Sequence, residues 1–131
     1  MIILAQLLLQ YMIIGHVFTL IQMELPLNTF YFVLLMMSTV FMAAFGYAYN
    51  DVHDMAIDEI NKNNKRIIGV KISQTAGLTI SRVLLLLALI PALYLSFAMQ
   101  MLQLIFIHII IAMGLWYYST NLKKKVLSGN I

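Results

Sequence analysis

The chain has 131 residues, 63% of them hydrophobic and 10% charged, with a mean hydropathy of +0.92 and a net charge of +3. Soluble domains are about 45–50% apolar and about 25% charged, which excludes a water-soluble globule. The absence of cysteine removes disulfide frameworks, thiolate zinc sites and cysteine nucleophiles. The positive charges fall beside apolar segments, a pattern that suits orientation in a bilayer and not nucleic-acid binding.

Uncharged runs fill residues 1–23, 25–50, 72–81 and 83–122, and about 20 mostly apolar residues are enough to cross a bilayer. The first predicted span covers about residues 1–22. Its start, Met1-Ile2-Ile3-Leu4, has neither the basic region nor the small-residue cleavage site of a removable signal peptide. Glu24-Leu25-Pro26-Leu27-Asn28 breaks the pattern, and a second span follows over about residues 28–49. After the polar stretch 50–73 come a third span over about 74–97, which Pro91 is expected to kink, and a fourth over about 101–119. All four are predicted helices, because in lipid each segment must satisfy its own backbone hydrogen bonds. The fold class is therefore an all-α membrane protein with four transmembrane helices.

Lys62, Lys65, Arg66 and Lys71 lie between spans two and three, and Lys123, Lys124 and Lys125 follow span four. The connections at 24–28 and 98–103 carry no Lys or Arg. The positive-inside rule then puts the basic segments, and the inner end of the second span, on the cytoplasmic side of the cytoplasmic membrane.

The most informative segment is Asn50-Asp51-Val52-His53-Asp54-Met55-Ala56-Ile57-Asp58. On a helix, Asn50, Asp54 and Asp58 recur at i, i+4 and i+8 and line one face over about 12 Å. Acids at a helix C-terminus oppose the dipole and repel one another at this spacing, an arrangement that a divalent cation would relieve. Hard oxygen ligands suit Mg²⁺, which is held by one or two carboxylates plus substrate phosphates. Asp51 stands about 100° round the helix from Asn50, which makes it at best an alternate or outer ligand, and His53 stands the same angle short of Asp54 and is not expected to bind the metal. Glu59 reads as a solvated surface charge. The basic residues beside this motif serve topology, or they join a metal in neutralising a diphosphate leaving group.

Other polar residues have plain readings. Arg82 reaches the cytoplasmic interface by snorkelling or turns into the site. His16 and His108 read as neutral packing residues within spans. Tyr47, Tyr49, Trp116, Tyr117 and Tyr118 make an interfacial aromatic belt or the cation-stabilising wall of a cavity. The ten methionines read as adaptable packing.

Asn50-Asp51-x-x-Asp54-x-x-x-Asp58-x-x-Asn61, with Lys62-x-x-Lys65-x-Ile67 and Lys71-Ile72-Ser73 after it, resembles the first aspartate-rich motif of the UbiA-type intramembrane prenyltransferases. Tyr118-Ser119-x-x-Leu122-Lys123-Lys124 and Gly129-Asn130 resemble a further block of that family, in the same order. The resemblance covers nearly the whole chain. It implies a bundle of nine helices, of which these four form the first half, and Mg²⁺-dependent transfer of a prenyl group from a prenyl diphosphate to an acceptor. By the same resemblance Asn50, Asp54 and Asp58 hold the Mg²⁺, Asp54 and Asp58 being the catalytic acids. Lys65, Arg66 and Lys123 contact the diphosphate, and Tyr118 borders it.

Three departures accompany the likeness. Asn63 and Arg66 stand where the family has prolines, the family's basic lead-in before the first span is not found, and no second aspartate-rich motif follows. The expectation is an N-terminal part, inactive alone, whose partner is the C-terminal half of the same enzyme. The proline-poor Lys-x-x-Lys loop resembles that of the branch making geranylgeranylglyceryl-phosphate-type ether lipids, which implies such a lipid acceptor, with an aromatic acceptor of quinone synthesis as the alternative. The rival readings are a cation-transport fragment and a non-catalytic four-helix protein.

Overall fold

The computed structural model describes residues 1–21, 28–60 and 72–122, with side chains described at all of these except 55–60 and 122. Every regular element longer than one residue among them is a helix. Helix α1 runs over Ile2–Leu20, with wider π-type turns at Leu9–Ile14. Helix α2 is Thr29–Ile60, α3 is Gln74–Ala98, and α4 is Gln103–Tyr117, prolonged by π-type turns at Tyr118–Leu122. Four helices are thus long and apolar enough to cross a membrane. Large apolar side chains such as Leu86, Ile90, Phe97, Phe106 and Ile110 point outward, as a lipid-facing surface requires.

Local chemistry sets the helix ends. The Asn28 carboxamide oxygen accepts from the Tyr31 backbone N–H at 2.9 Å at the start of α2, and Ser73 Oγ accepts from the Ala76 N–H at 3.2 Å at the start of α3. Helix α3 continues unbroken through Pro91, which has no N–H to give to the Leu87 carbonyl. It ends in a Schellman turn. Met101 N–H bonds back to the Ser96 carbonyl at 2.9 Å and Gln100 N–H to Phe97 at 3.2 Å, with Gln100 left-handed at φ 54°.

The tightest packing joins α2 to α3, and small residues allow it. Gly77, Ser81, Ala88, Ala92 and Ser96 are the buried positions of α3 together with Leu95. Spaced mostly by four, they form a small-residue stripe that lets helix backbones approach in lipid. Ser81 and Ser96 turn their hydroxyls onto their own helix, donating to Gly77 and Ala92 carbonyls at 2.9 Å. Ser38 of α2 instead reaches across, donating to the Ala88 carbonyl at 2.6 Å with no exposed surface. Met42, Phe45 and Ala88 form the buried core at this seam, and Leu115 of α4 packs on it. Helix α1 joins α2 through Gln6 Nε2, which donates to Thr39 Oγ1 at 2.6 Å, and through an edge contact of Tyr11 on Phe32.

Helix α2 has 32 residues and so a length of about 48 Å, well beyond the ~30 Å hydrocarbon layer. The acidic motif therefore rides on an uninterrupted extension of a membrane helix, its orientation dictated by the helix below.

A left-handed Gln carries a steric cost of about 1 kcal/mol that glycine does not. Gln100→Gly should raise the thermal stability of the detergent-solubilised protein by about that amount, and Gln100→Val should lower it. Equal melting temperatures for all three would show that the turn is unstrained.

Candidate functional site at the end of helices α2 and α4

The helical spacing of the acidic motif is realised directly. Asn50 Nδ2 donates to Asp54 Oδ2 at 2.7 Å, so these side chains share one face one turn apart. Asp58 lies on the same continuous helix a further turn along, its side chain outside the described residues. The amide soothes part of the repulsion that two acids at this spacing would bring, since it presents a donor to the nearer one. Val52, between Asn50 and Asp54, is 2% exposed and turns into the bundle. His53 is held elsewhere: its Nδ1 donates to the Tyr49 carbonyl at 2.9 Å and its ring lies tilted against Tyr49 with centroids 4.3 Å apart.

Asn50 opens into a cavity of about 360 Å³ between α2 and α4. Ala43, Gly46 and Tyr47 continue the α2 wall, and Leu115, Tyr118 and Ser119 supply the facing one. The π-type turns at Tyr118–Leu122 widen the helix where it reaches the site, so consecutive residues Tyr118 and Ser119 both line the cavity. Ser119 is 4% exposed, whereas Tyr118 and Tyr47 are open at the rim. Gly46 has a steric reason to be glycine: a Cβ there would stand 3.1 Å from both terminal carbons of Leu115.

Two residues from separate sequence motifs, Asn50 and Tyr118, are thus brought together. Ser119, Gly46, Ala43 and Leu115 were not singled out for the site from the sequence. Their signal was present in part, because Ala43 and Gly46 fall seven and four positions before Asn50 and so on its helix face. Lys65, Arg66 and Lys123 lie outside the described residues, as do Lys62, Lys71, Lys124, Lys125, Glu24, Asn61, Gly129, Asn130 and the side chain of Glu59. Arg82 lines a different hollow of about 410 Å³, with Tyr49, Ser81 and Trp116. Of the aromatic set, Tyr47 and Tyr118 therefore border one cavity, Tyr49 and Trp116 another. His16 is exposed.

Among the described residues no group of three or more His, Asp or Glu side chains stands close enough to enclose a metal. The Asp54 carboxylate and the Asn50 carboxamide nevertheless share one face, the amide turning its nitrogen to the carboxylate, and Asp58 follows on the same helix. Such a set fits a cation that takes only one or two carboxylates from protein.

Deeper along the same seam, Leu35, Thr39 and Met42 of α2 face Leu104, His108 and Ile111 of α4 across a cavity of about 440 Å³. His108 is 5% exposed, and its Nδ1 donates to the Leu104 carbonyl at 2.8 Å. In the neutral ring this makes Nε2 an acceptor, and Nε2 has no hydrogen-bond partner among the described residues.

These features define an integral membrane protein with a cavity at one end of its helices, rimmed by an amide, a hydroxyl and phenols. Comparison with known proteins agrees. The model of the UbiA prenyltransferase family matches residues 11–131, and the chain belongs to that family. It is 32% identical over 99 residues to a digeranylgeranylglyceryl phosphate synthase of Sulfurisphaera tokodaii, covering 76% of this chain and 34% of the relative. To the protein of the same name from Saccharolobus solfataricus it is 35% identical over 89 residues, covering 68% and 30%. The match thus spans about a third of the length of these relatives. No solved structure matches the chain.

A buried acceptor without a donor costs about 1–3 kcal/mol. His108→Leu, which removes it at similar volume, should raise the melting temperature in detergent. A fall of several degrees would mean that Nε2 does have a donor.

Proposed function

We propose that this chain carries the donor-binding side of a Mg²⁺-dependent prenyltransferase that acts on a lipid acceptor of the geranylgeranylglyceryl phosphate type. The carrying observation is that Asn50 of the acidic motif and Tyr118 of the second motif line one cavity whose inner wall is apolar. The family match and the names of the two relatives support prenyl transfer and the ether-lipid acceptor. In this reading the four helices form the first half of a nine-helix bundle, and a second acidic cluster belongs to a further part of the enzyme. The acidic end faces the cytoplasm, a reading that rests on Lys62, Lys65, Arg66, Lys71 and Lys123–Lys125 in the flanking segments.

Asn50 Oδ1 and the carboxylates of Asp54 and Asp58 would hold the Mg²⁺. When bound, the ion supplies positive charge against the diphosphate oxygens. Lys65, Arg66 and Lys123 add fixed cations to the same leaving group, which departs with the electron pair of the allylic C–O bond. The wall of Ala43, Gly46 and Leu115 keeps water from the allylic carbon while the acceptor hydroxyl oxygen bonds to it and releases its proton to solvent. Tyr47 and Tyr118 at the rim present aromatic faces to the developing cation. A cation-transport reading gives no role to the basic residues beside the acids or to the apolar wall.

Binding of radiolabelled geranylgeranyl thiolodiphosphate to the solubilised protein should require Mg²⁺ and vanish with EDTA. Asp54→Ala and Asp58→Ala should each weaken it by about tenfold or more, since even outer groups of a metal site are worth that much. Binding that is indifferent to both substitutions refutes the metal-diphosphate assignment.

Orientation has its own measurement, helped by the lack of native cysteine. Single cysteines introduced at 60–66 should resist a membrane-impermeant maleimide in intact cells and react after permeabilisation. Labelling from outside would invert the topology.

A further inference from the structure

Arg82 plays no part in the proposed function. It stands eight positions after Gln74, the first residue of α3, within a segment long and apolar enough to cross a membrane. A guanidinium at that level is costly unless an anion or water meets it. Among the described residues no carboxylate lines the hollow of about 410 Å³ to which Arg82 belongs. Its polar groups are the guanidinium, the Trp116 indole, the Tyr49 phenol and the Ser81 hydroxyl. The first two can only donate, and Ser81 already gives its proton to the Gly77 carbonyl. Such a set suits an anion.

Depth and exposure narrow the choice. Tyr49 stands five positions before Asp54 at the end of its candidate span, and Trp116 five before Asn121 at the end of its own, so with Arg82 they lie roughly 8–12 Å inside the span ends. The Arg82 side chain leans toward the N-terminus of its helix, hence toward that same membrane boundary, and its apolar stem can carry the charge to the headgroup level. Arg82 and Trp116 are both exposed. So are Leu86 and Ile90, one and two turns beyond Arg82 on its face of α3, and Met113 and Ile109 along the Trp116 face of α4. Phe45, Leu78, Leu85 and Ala112 make most of the remaining wall. The hollow is a cationic recess at the head of two apolar, outward-facing stripes.

We propose that this recess binds the phosphate of an anionic membrane lipid, whose acyl chains lie along the stripes of α3 and α4. It shares no lining residue with the Asn50 cavity, so the site is separate from the one assigned to the diphosphate. A planar guanidinium matches two phosphate oxygens at once, and an indole beside it sits where headgroup and hydrocarbon meet.

Trp116 is the only tryptophan of the chain, so its fluorescence reports on this hollow alone. The test reconstitutes the protein with EDTA in phosphatidylcholine vesicles containing either phosphatidylglycerol or phosphatidylcholine brominated along its acyl chains, and compares quenching of Trp116. Brominated phosphatidylglycerol should associate about fivefold more strongly than brominated phosphatidylcholine, the worth of one basic side chain against anionic lipid. Arg82→Gln should bring the ratio close to one, and Arg82→Lys should keep part of the preference. Inorganic phosphate should not reverse the quenching beyond the effect of sodium chloride at equal ionic strength. A wild-type ratio of one overturns the site. A preference that survives Arg82→Gln overturns the role of Arg82 and assigns the lipid to the other basic residues. Specific reversal by inorganic phosphate makes the occupant a free anion and overturns the lipid.

Discussion

The architecture depends on how closely α2 can approach α3. Inside a hydrocarbon layer helices gain nothing from hiding apolar surface from water, so their association must come from packing and from polar contacts between backbones held close together. The stripe of Gly77, Ser81, Ala88, Ala92 and Ser96 supplies that closeness. Ser38 turns it into a specific register by reaching the Ala88 carbonyl at 2.6 Å. With α2 so fixed, the direction in which its extension leaves the membrane is fixed as well, and with it the face that bears Asn50 and Asp54.

Helix α4 completes the site by standing slightly away. It meets the α2–α3 core through Leu115 and Ala112, but elsewhere the seam between α2 and α4 stays open as two hollows that share Ala43 and Leu115 in their linings. Gly46 is the point of closest approach, since Leu115 occupies the space a larger residue would need. The result is a bundle tight on one side of α2 and grooved on the other.

The polar residues divide accordingly. Ser81, Ser96 and Ser38 satisfy backbone carbonyls within the packed side. Asn50, Tyr118 and Ser119 gather around one cavity between α2 and α4. His53, although inside the acidic motif, is drawn onto Tyr49 and away from the face shared by Asn50 and Asp54. Arg82 faces the hollow on the other side of Phe45 and Tyr49.

Four membrane helices and the common face of Asn50 and Asp54 were legible in the sequence, because helical periodicity and the length of a bilayer are local constraints that need no partner. The spans expected over 28–49 and 74–97 differ from α2 and α3 mainly at the C-terminal end of α2, where the helix continues to Ile60. Its backbone bonds carry on regardless of the change from lipid to water, so hydropathy marks the membrane boundary and not the helix end. Tertiary structure alone decided that Tyr118 and Asn50 line one cavity, that Tyr49 and Trp116 line a different one, and that Gly46 receives Leu115. Those facts depend on the angle and distance between helices far apart in sequence. Interhelical distance is set by which small residues meet across a seam, a pairing that no stretch of one helix encodes by itself.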